Sequence, residues 1–278
     1  MNRERGIALL VVLWACTLLA ILVGGLASLA HLESEQGRYA MAAQKARYAA
    51  EAGVMKAIHD VYEQRREARE PLEGVRWIGD GQPFEFALDG ARVTVVVEDE
   101  IGKVDLNRAD PTILAALFAQ AGDDPAKAVD LAAEVVAWRS ETGVPDAESM
   151  ARYRAAGRAY VPRQAPFPSI DELQSVLGMD DRLFARVQPV LTIWSGRTKP
   201  APFYASPLVR ATLAGQAQGD AVAEWVPGSP TITIVSKGVA EGMSVTLRAT
   251  VRLSQLTGTP NPRLPLYTVL RWQDVPRG

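Results

Sequence analysis

From Ile7 to Ala30 the chain runs 24 residues without Asp, Glu, Lys or Arg, and this run limits every architecture that can follow it. As a helix rising about 1.5 Å per residue it reaches roughly 36 Å, enough to span a hydrocarbon core of about 30 Å. A cleaved secretory signal has a shorter apolar region, roughly 7 to 15 residues, closed by a small-residue site. The run is too long for that class. Arg3, Arg5 and the initiator amine precede it, while Glu33 and Glu35 follow it. This charge bias keeps the N-terminus cytoplasmic and places everything after residue 32 across the membrane. A plain single-pass anchor is the simplest reading of such a start.

The next segment, "HLESEQGRYAMAAQKARYAAEAGVMKAIHDVYEQRREAR", is rich in Ala, Glu, Gln, Lys and Arg, with no proline and only Gly37 and Gly53 as breakers. Helix is strongly favoured. Tyr48, Val54, Met55, Ile58, Val61 and Tyr62 recur at three- and four-residue steps, so one helix is expected to continue out of the membrane. The pattern then changes period. "FEFALDGARVTVVVEDE" alternates Phe84, Phe86 and Leu88 before Asp89-Gly90, then Val93, Val95 and Val97, which predicts a hairpin with a type I′ turn. Strand alternation returns in "TITIV", "VTLRATVRLS" and "LYTVLRW". Together these make a small antiparallel sheet whose one face the long helix can cover.

Between the strand regions, 104–197 reads as helical. Asp110-Pro111 and Asp124-Pro125 each place a capping Asp before a proline at the first helical position. In the second of these helices Leu131, Val135 and Trp138 form one stripe. "SIDE" supplies a capping box through Ser169 and Glu172, opening a helix with Leu173, Val176 and Leu177 inside. Gly178 ends it, and Leu183, Val187 and Leu191 mark another helix. The chain of 278 residues, 48% hydrophobic with net charge −2, is long enough for one or two cores, and its bulk charge points to neither nucleic acid nor acidic membrane. The single cysteine, Cys16, falls in the apolar run, so no disulfide within the chain is available.

A short basic leader ending in glycine, a span starting directly after it, and an Ala-rich helix with "AAEAG" resemble the type IV pilin and pseudopilin superfamily. More narrowly, "RERGIALLVVLW", "GKVDLNRAD" (similar to "GKINLNTA") and "AGRAYVPRQAPFPSIDELQSVLGMDDRLFARVQPVLTIW" resemble the minor pseudopilin K family of type II secretion. The resemblance implies an α+β, pilin-like fold. Its parts are a leader at 1–6, a transmembrane and assembly helix at 7–32, and the rest of the helix with the first strands at 33–103. An inserted helical domain at 104–197 and C-terminal strands at 198–278 complete it. It implies cleavage between Gly6 and Ile7 by a prepilin peptidase, methylation of the Ile7 amine, and assembly of a pseudopilus that exports folded proteins across the outer membrane. Most members carry glutamate where this chain has Val11. Loss of that carboxylate, which would be costly in a bilayer without a partner amine, implies a subunit at the tip.

Partners implied are the I-like and J-like minor pseudopilins, prepilin peptidase, the inner-membrane assembly platform and exported substrates. The expected location is the inner membrane, single-pass with a periplasmic body, then the pseudopilus tip. For helix packing against partners, Ala40, Ala43, Ala50, Val54 and Ile58 are expected on an outward strip at near-helical spacing. No cofactor is required. The family's acidic loop can hold calcium, and here Glu141, Asp146 and Glu148 are the candidates. The usual aspartates beside Trp138-Arg139 are replaced by Ala137 and Ser140, however, and calcium takes six to eight oxygen ligands.

Two other classes compete. "ILAALFAQAGDD" and "ELQSVLGMDDRLFARV" look loosely like helix-hairpin-helix units, as in a DNA-binding or DNA-uptake pilin. Yet 104–197 holds 10 Lys plus Arg against 13 Asp plus Glu, and a DNA-binding face should be basic. Ordinary helix packing is the favoured reading. A membrane-tethered periplasmic hydrolase is the other rival. His31 and His59 are the only histidines, neither has a nucleophile nearby in sequence, and no HExxH, GxSxG or P-loop pattern occurs. The expectation is a non-enzymatic structural protein.

Overall fold

The computed structural model describes residues 3–66, 77–122, 124–140, 147–215, 226–258 and 261–276. Helix α1 (Arg3–Arg66) is continuous. Its side chains are described from Val11 onward except those at 27, 29, 30 and 32. Among the described residues no helix is long and apolar enough to cross a membrane, so the expected span is not confirmed. What is seen is a helix apolar on every side: Val11, Val12, Leu13, Trp14 and Leu19 are all largely exposed.

The second half of α1 lies on a five-stranded antiparallel sheet. Strands β1 (Asp80–Leu88) and β2 (Ala91–Asp99) form the hairpin read from the sequence. Asp89 and Gly90 have φ of 48° and 76°, the positive pair that a type I′ turn needs. Strands β5 (Thr231–Ala240), β6 (Met243–Leu253) and β7 (Tyr267–Val275) complete the order β1-β2-β5-β6-β7. Val93, Val95, Ile232, Ile234, Leu247, Ala249 and Val251 point one way and meet Ala46, Ala50, Val54, Ala57, Ile58 and Val61 of α1 in one core. This is the helix-on-sheet packing that the alternation predicted.

A second core belongs to the helical layer. β3 (Val104–Asp105) pairs in parallel with β4 (Leu191–Thr192). Between them run α2 (Pro111–Gln120), α3 (Pro125–Arg139), α4 (Ala147–Ala155) and α5 (Asp181–Val187). Helix α6 (Pro207–Ala214) then packs on α2. Leu114, Phe118, Leu131, Tyr153, Leu173 and Val187 are buried there.

Four expectations need correction. Asp110 precedes α2 but makes no side-chain cap, unlike Asp124 before α3. The "SIDE" segment is a 3-10 helix, Ile170–Ser175, and Ser169 makes no side-chain cap. Glu172 does not reach back, because Trp138 Nε1 (2.8 Å) and Arg163 (3.2 Å) donate to its carboxylate. Leu191 lies in β4 and not in a helix. Finally, Ala205 and Val209 sit in the helical core, so that layer continues past 197 through α6. The sheet resumes only at Thr231.

Buried polar groups join the two layers. Glu100 accepts hydrogen bonds from Lys103 Nζ (2.8 Å), Thr233 Oγ1 (2.7 Å) and Thr192 Oγ1. Burial works against the Lys103 ammonium, but Glu100 and Glu98 outweigh it and hold its pKa above the ordinary value. Next to this group, Asp99 binds Arg65 Nη2 (2.7 Å), Ser229 N (2.9 Å) and Ser229 Oγ (2.8 Å), tying the end of α1 to the segment entering β5.

Candidate assembly interface

The expected outward strip on α1 divides. Ala40 is exposed and Ala43 half-buried, whereas Ala50, Val54 and Ile58 are buried against the chain's own sheet. The reason lies in the strands beneath. At Gly238 of β5, an added Cβ would come 2.7 Å from Ala50 N and 3.1 Å from the Ala49 Cβ. At Gly53 of α1, it would come 2.7 Å from a methyl of Val93. Small residues do permit a close approach, as the sequence argument held. They spend it on the sheet, and "AAEAG" is the footprint of that contact.

The solvent-facing row is therefore a different one. Met41, Tyr48 and Met55 are 76%, 61% and 44% exposed, and their seven-residue spacing puts them nearly in line along the helix. Tyr267 Oη of β7 lies 3.6 Å from the Met55 sulfur. At the other end Met41 and Tyr48 border a groove of about 370 Å³ whose far wall is Leu88, Asp89 and Ala91 of the first hairpin. Charged residues flank the row without covering it: Arg47 pairs with Glu51 (3.1 Å) and Asp274 (3.3 Å). Sequence periodicity alone did not separate this row from the buried one, because both contain apolar residues at helical steps.

The other expected site residues are scattered. The backbone of Gly6 and Ile7 lies in α1, but the Ile7 side chain is not among those described. Val11 is an exposed member of the apolar stretch. Glu141 and Asp146 also lie outside the described residues, and Glu148 on α4 pairs with Arg152 (3.2 Å). Among the described residues no group of three or more metal-binding side chains forms. His31 sits beside Glu35 (3.5 Å) on exposed helix, and His59 is exposed farther along α1.

Both glycine turns take positive φ, Gly122 at 100° and Gly178 at 90°. The carboxylates after them have structural work: Asp124 caps α3 through Ala126 N (3.0 Å), and Asp180 caps α5 through Leu183 N (2.8 Å). Asp123 lies outside the described residues. "GKVDLNRAD" is likewise a structural hub. Asp105 accepts from Asn107 N (2.8 Å), Ser195 Oγ (3.1 Å) and Gly196 N (2.7 Å). Arg139 donates to the carbonyls of Leu106 and Ala109, both at 2.6 Å.

Residues 95–196 match the family described as type II secretion system (T2SS), protein K. That stretch is similar to type II secretion protein K. That match runs from β2 through the helical layer and bears out the pseudopilin K resemblance read from the sequence. The fold agrees with a chain in the crystal structure of the GspK-GspI-GspJ complex from the enterotoxigenic Escherichia coli type 2 secretion system. The TM-score is 0.63 at 16% identity, covering 88% of this chain and 99% of that one. No curated protein matches. The matched stretch holds β3, α2–α5 and β4, inserted between strands of the helix-covered sheet.

Proposed function

We propose that this chain is a non-enzymatic minor pseudopilin that sits at the tip of the type II secretion pseudopilus and starts its assembly. Residues 7–32 of α1 are held in the inner membrane before assembly, with the N-terminus cytoplasmic and the body periplasmic. The described part of that stretch is apolar on every side, as expected of a helix surrounded by lipid. The leader is cut between Gly6 and Ile7 and the new amine methylated; an intact Met1 in membranes with active prepilin peptidase would refute this. Val11 in place of a carboxylate supports the tip position, where no subunit ahead supplies a partner amine. The reading calls for no cofactor.

The observation that carries the proposal is the uncovered row Met41, Tyr48 and Met55 on a helix whose opposite face is already filled by its own sheet. Such a row fits a neighbouring helix at heptad spacing. The I-like and J-like subunits are its proposed partners, since the similar solved chain comes from a complex with two such proteins. Export of folded proteins follows from assembly.

The test is co-purification of the full chain in detergent with tagged I-like and J-like subunits. Tyr48→Arg and Met55→Arg should each weaken recovery by about tenfold with an unchanged circular dichroism spectrum, the size expected for losing one packed anchor. Ala50→Arg and Val54→Arg should instead unfold the body, because each buries an unpaired charge. Undiminished assembly by both outer-face variants would move the interface off this helix.

A further inference from the structure

On the sheet face turned away from α1, where β6 meets the helical layer, lies a cleft of about 620 Å³ bordered by Arg108, Arg139, Arg252, Asn107 and Trp194. Val251 points into the α1 core, so Arg252 beside it projects into the cleft side of the sheet. Among the described residues Asp105 is the one carboxylate that lines the cleft, and its three hydrogen bonds to Asn107, Ser195 and Gly196 leave it committed to the fold. The guanidinium of Arg139 is fixed in the wall by its two carbonyl contacts, with the charges of Asp105, Asp110 and, more weakly, Arg108 close enough to act on it. Arg108 and Arg252 are exposed, and among the described residues neither forms an ion pair; Arg252 reaches only Thr231 Oγ1, at 3.5 Å. Farther along the same face of β6, the Nε of Arg248 is buried with no hydrogen-bond partner among the described residues.

We propose that this cleft binds a carboxylate-rich peptide segment of another protein. Guanidinium groups present forked donors that match carboxylates two bonds at a time. Three of them around one cleft, beside the satisfied Asp105, leave a local positive excess among the described residues of a chain whose net charge is −2. Such an excess concentrates acidic ligands. The half-exposed indole of Trp194 adds an apolar wall for the residues between the acids. The cleft is also larger than one small anion needs, since a single water-sized group occupies roughly 30 Å³. Nucleic acid is disfavoured, because the helical layer that forms the opposite wall is net acidic and its glycine turns end in helix-capping carboxylates.

The probe is a fluorescein-labelled peptide of alternating Asp, Glu and Gly, titrated with the full chain in detergent micelles and read by fluorescence anisotropy. Its Asn/Gln counterpart is the control. The acidic peptide should bind at least about tenfold more tightly than the control, and Arg108→Gln and Arg252→Gln should each weaken it about fivefold or more, as loss of a charge-assisted pair implies. Both arginines are exposed, so circular dichroism should not change. Tyr48→Arg and Met55→Arg should leave peptide binding intact, which lets this proposal and the assembly reading fail separately. Equal binding of the amide control, or full affinity in either arginine variant, would overturn it. So would displacement of the peptide by an equal concentration of inorganic phosphate or of a single-stranded oligonucleotide.

Discussion

Tyr153 illustrates how a single side chain reports on the inserted layer. Its ring is fully buried among Trp138 and Tyr160, and its hydroxyl oxygen accepts a hydrogen bond from Leu177 N at 3.3 Å. Burial pushes the hydroxyl pKa up to about 12, against the smaller pull of the Leu177 N–H. In the unfolded chain a tyrosine ionises near 10. The folded value is the higher one, so the stability this group contributes is complete below about pH 10 and is lost as pH rises through about 12. Comparing denaturant unfolding of the parent and Tyr153→Phe should show the parent losing about 2 kcal/mol relative to the variant between those pH values, so that the order of stability reverses. A constant difference across that range would mean that the hydroxyl ionises in the folded state as it does in water. At neutral pH the variant should cost about 1 kcal/mol, because Leu177 N loses its acceptor.

At the scale of elements, what was legible depended on whether a local signal had competitors. The first hairpin was readable because Asp-Gly is the sequence that a two-residue turn of positive φ demands. The β5–β6 hairpin uses the same geometry, with Glu241 at 48° and Gly242 at 81°, but glutamate gives no such cue and the turn passed unread. Glu241→Asn should therefore raise stability by about 0.5 kcal/mol, since asparagine tolerates the left-handed region better; a lower thermal midpoint would show that Glu241 has work beyond the turn. The "SIDE" segment misled for the opposite reason. Its capping-box spacing is correct, yet a tryptophan 34 residues away takes the glutamate, a contact no local pattern contains. The same holds for α1, where Ala50 and Val54 looked like an interface and proved to be the bed for β5 and β2. Helix α6 did carry a cap signal, Ser206-Pro207, with Ser206 Oγ accepting from Val209 N at 3.4 Å, but it was missed because its eight residues are too few for a long apolar stripe. Its place in the core follows from α2, which lies about a hundred residues earlier.

For the whole molecule, the question is how a helix-covered sheet and a helical insertion behave as one body. Their hydrophobic cores are separate clusters, so apolar packing within each does not by itself couple them. The coupling runs through Glu100, whose carboxylate gathers Lys103, Thr192 at the return of the insertion and Thr233 of β5. Lys103 also holds Glu98 at 2.8 Å. Removing the ammonium leaves a fully buried carboxylate with hydroxyl donors only, a change that costs about 3 to 5 kcal/mol when a buried pair is broken. Lys103→Met keeps the length of the side chain and deletes that charge. Hydrogen exchange should then quicken together at Leu114 in the helical core and at Ile234 in the sheet, because the network belongs to both layers. Because the folded Lys103 pKa is raised, its stabilising effect is present below about pH 10.5 and is lost as pH rises above that value. The gap between parent and variant should accordingly narrow in alkaline buffer. If exchange quickens at Leu114 alone, the insertion is anchored to β3 and β4 but not to the sheet, and the helical layer would move independently of α1.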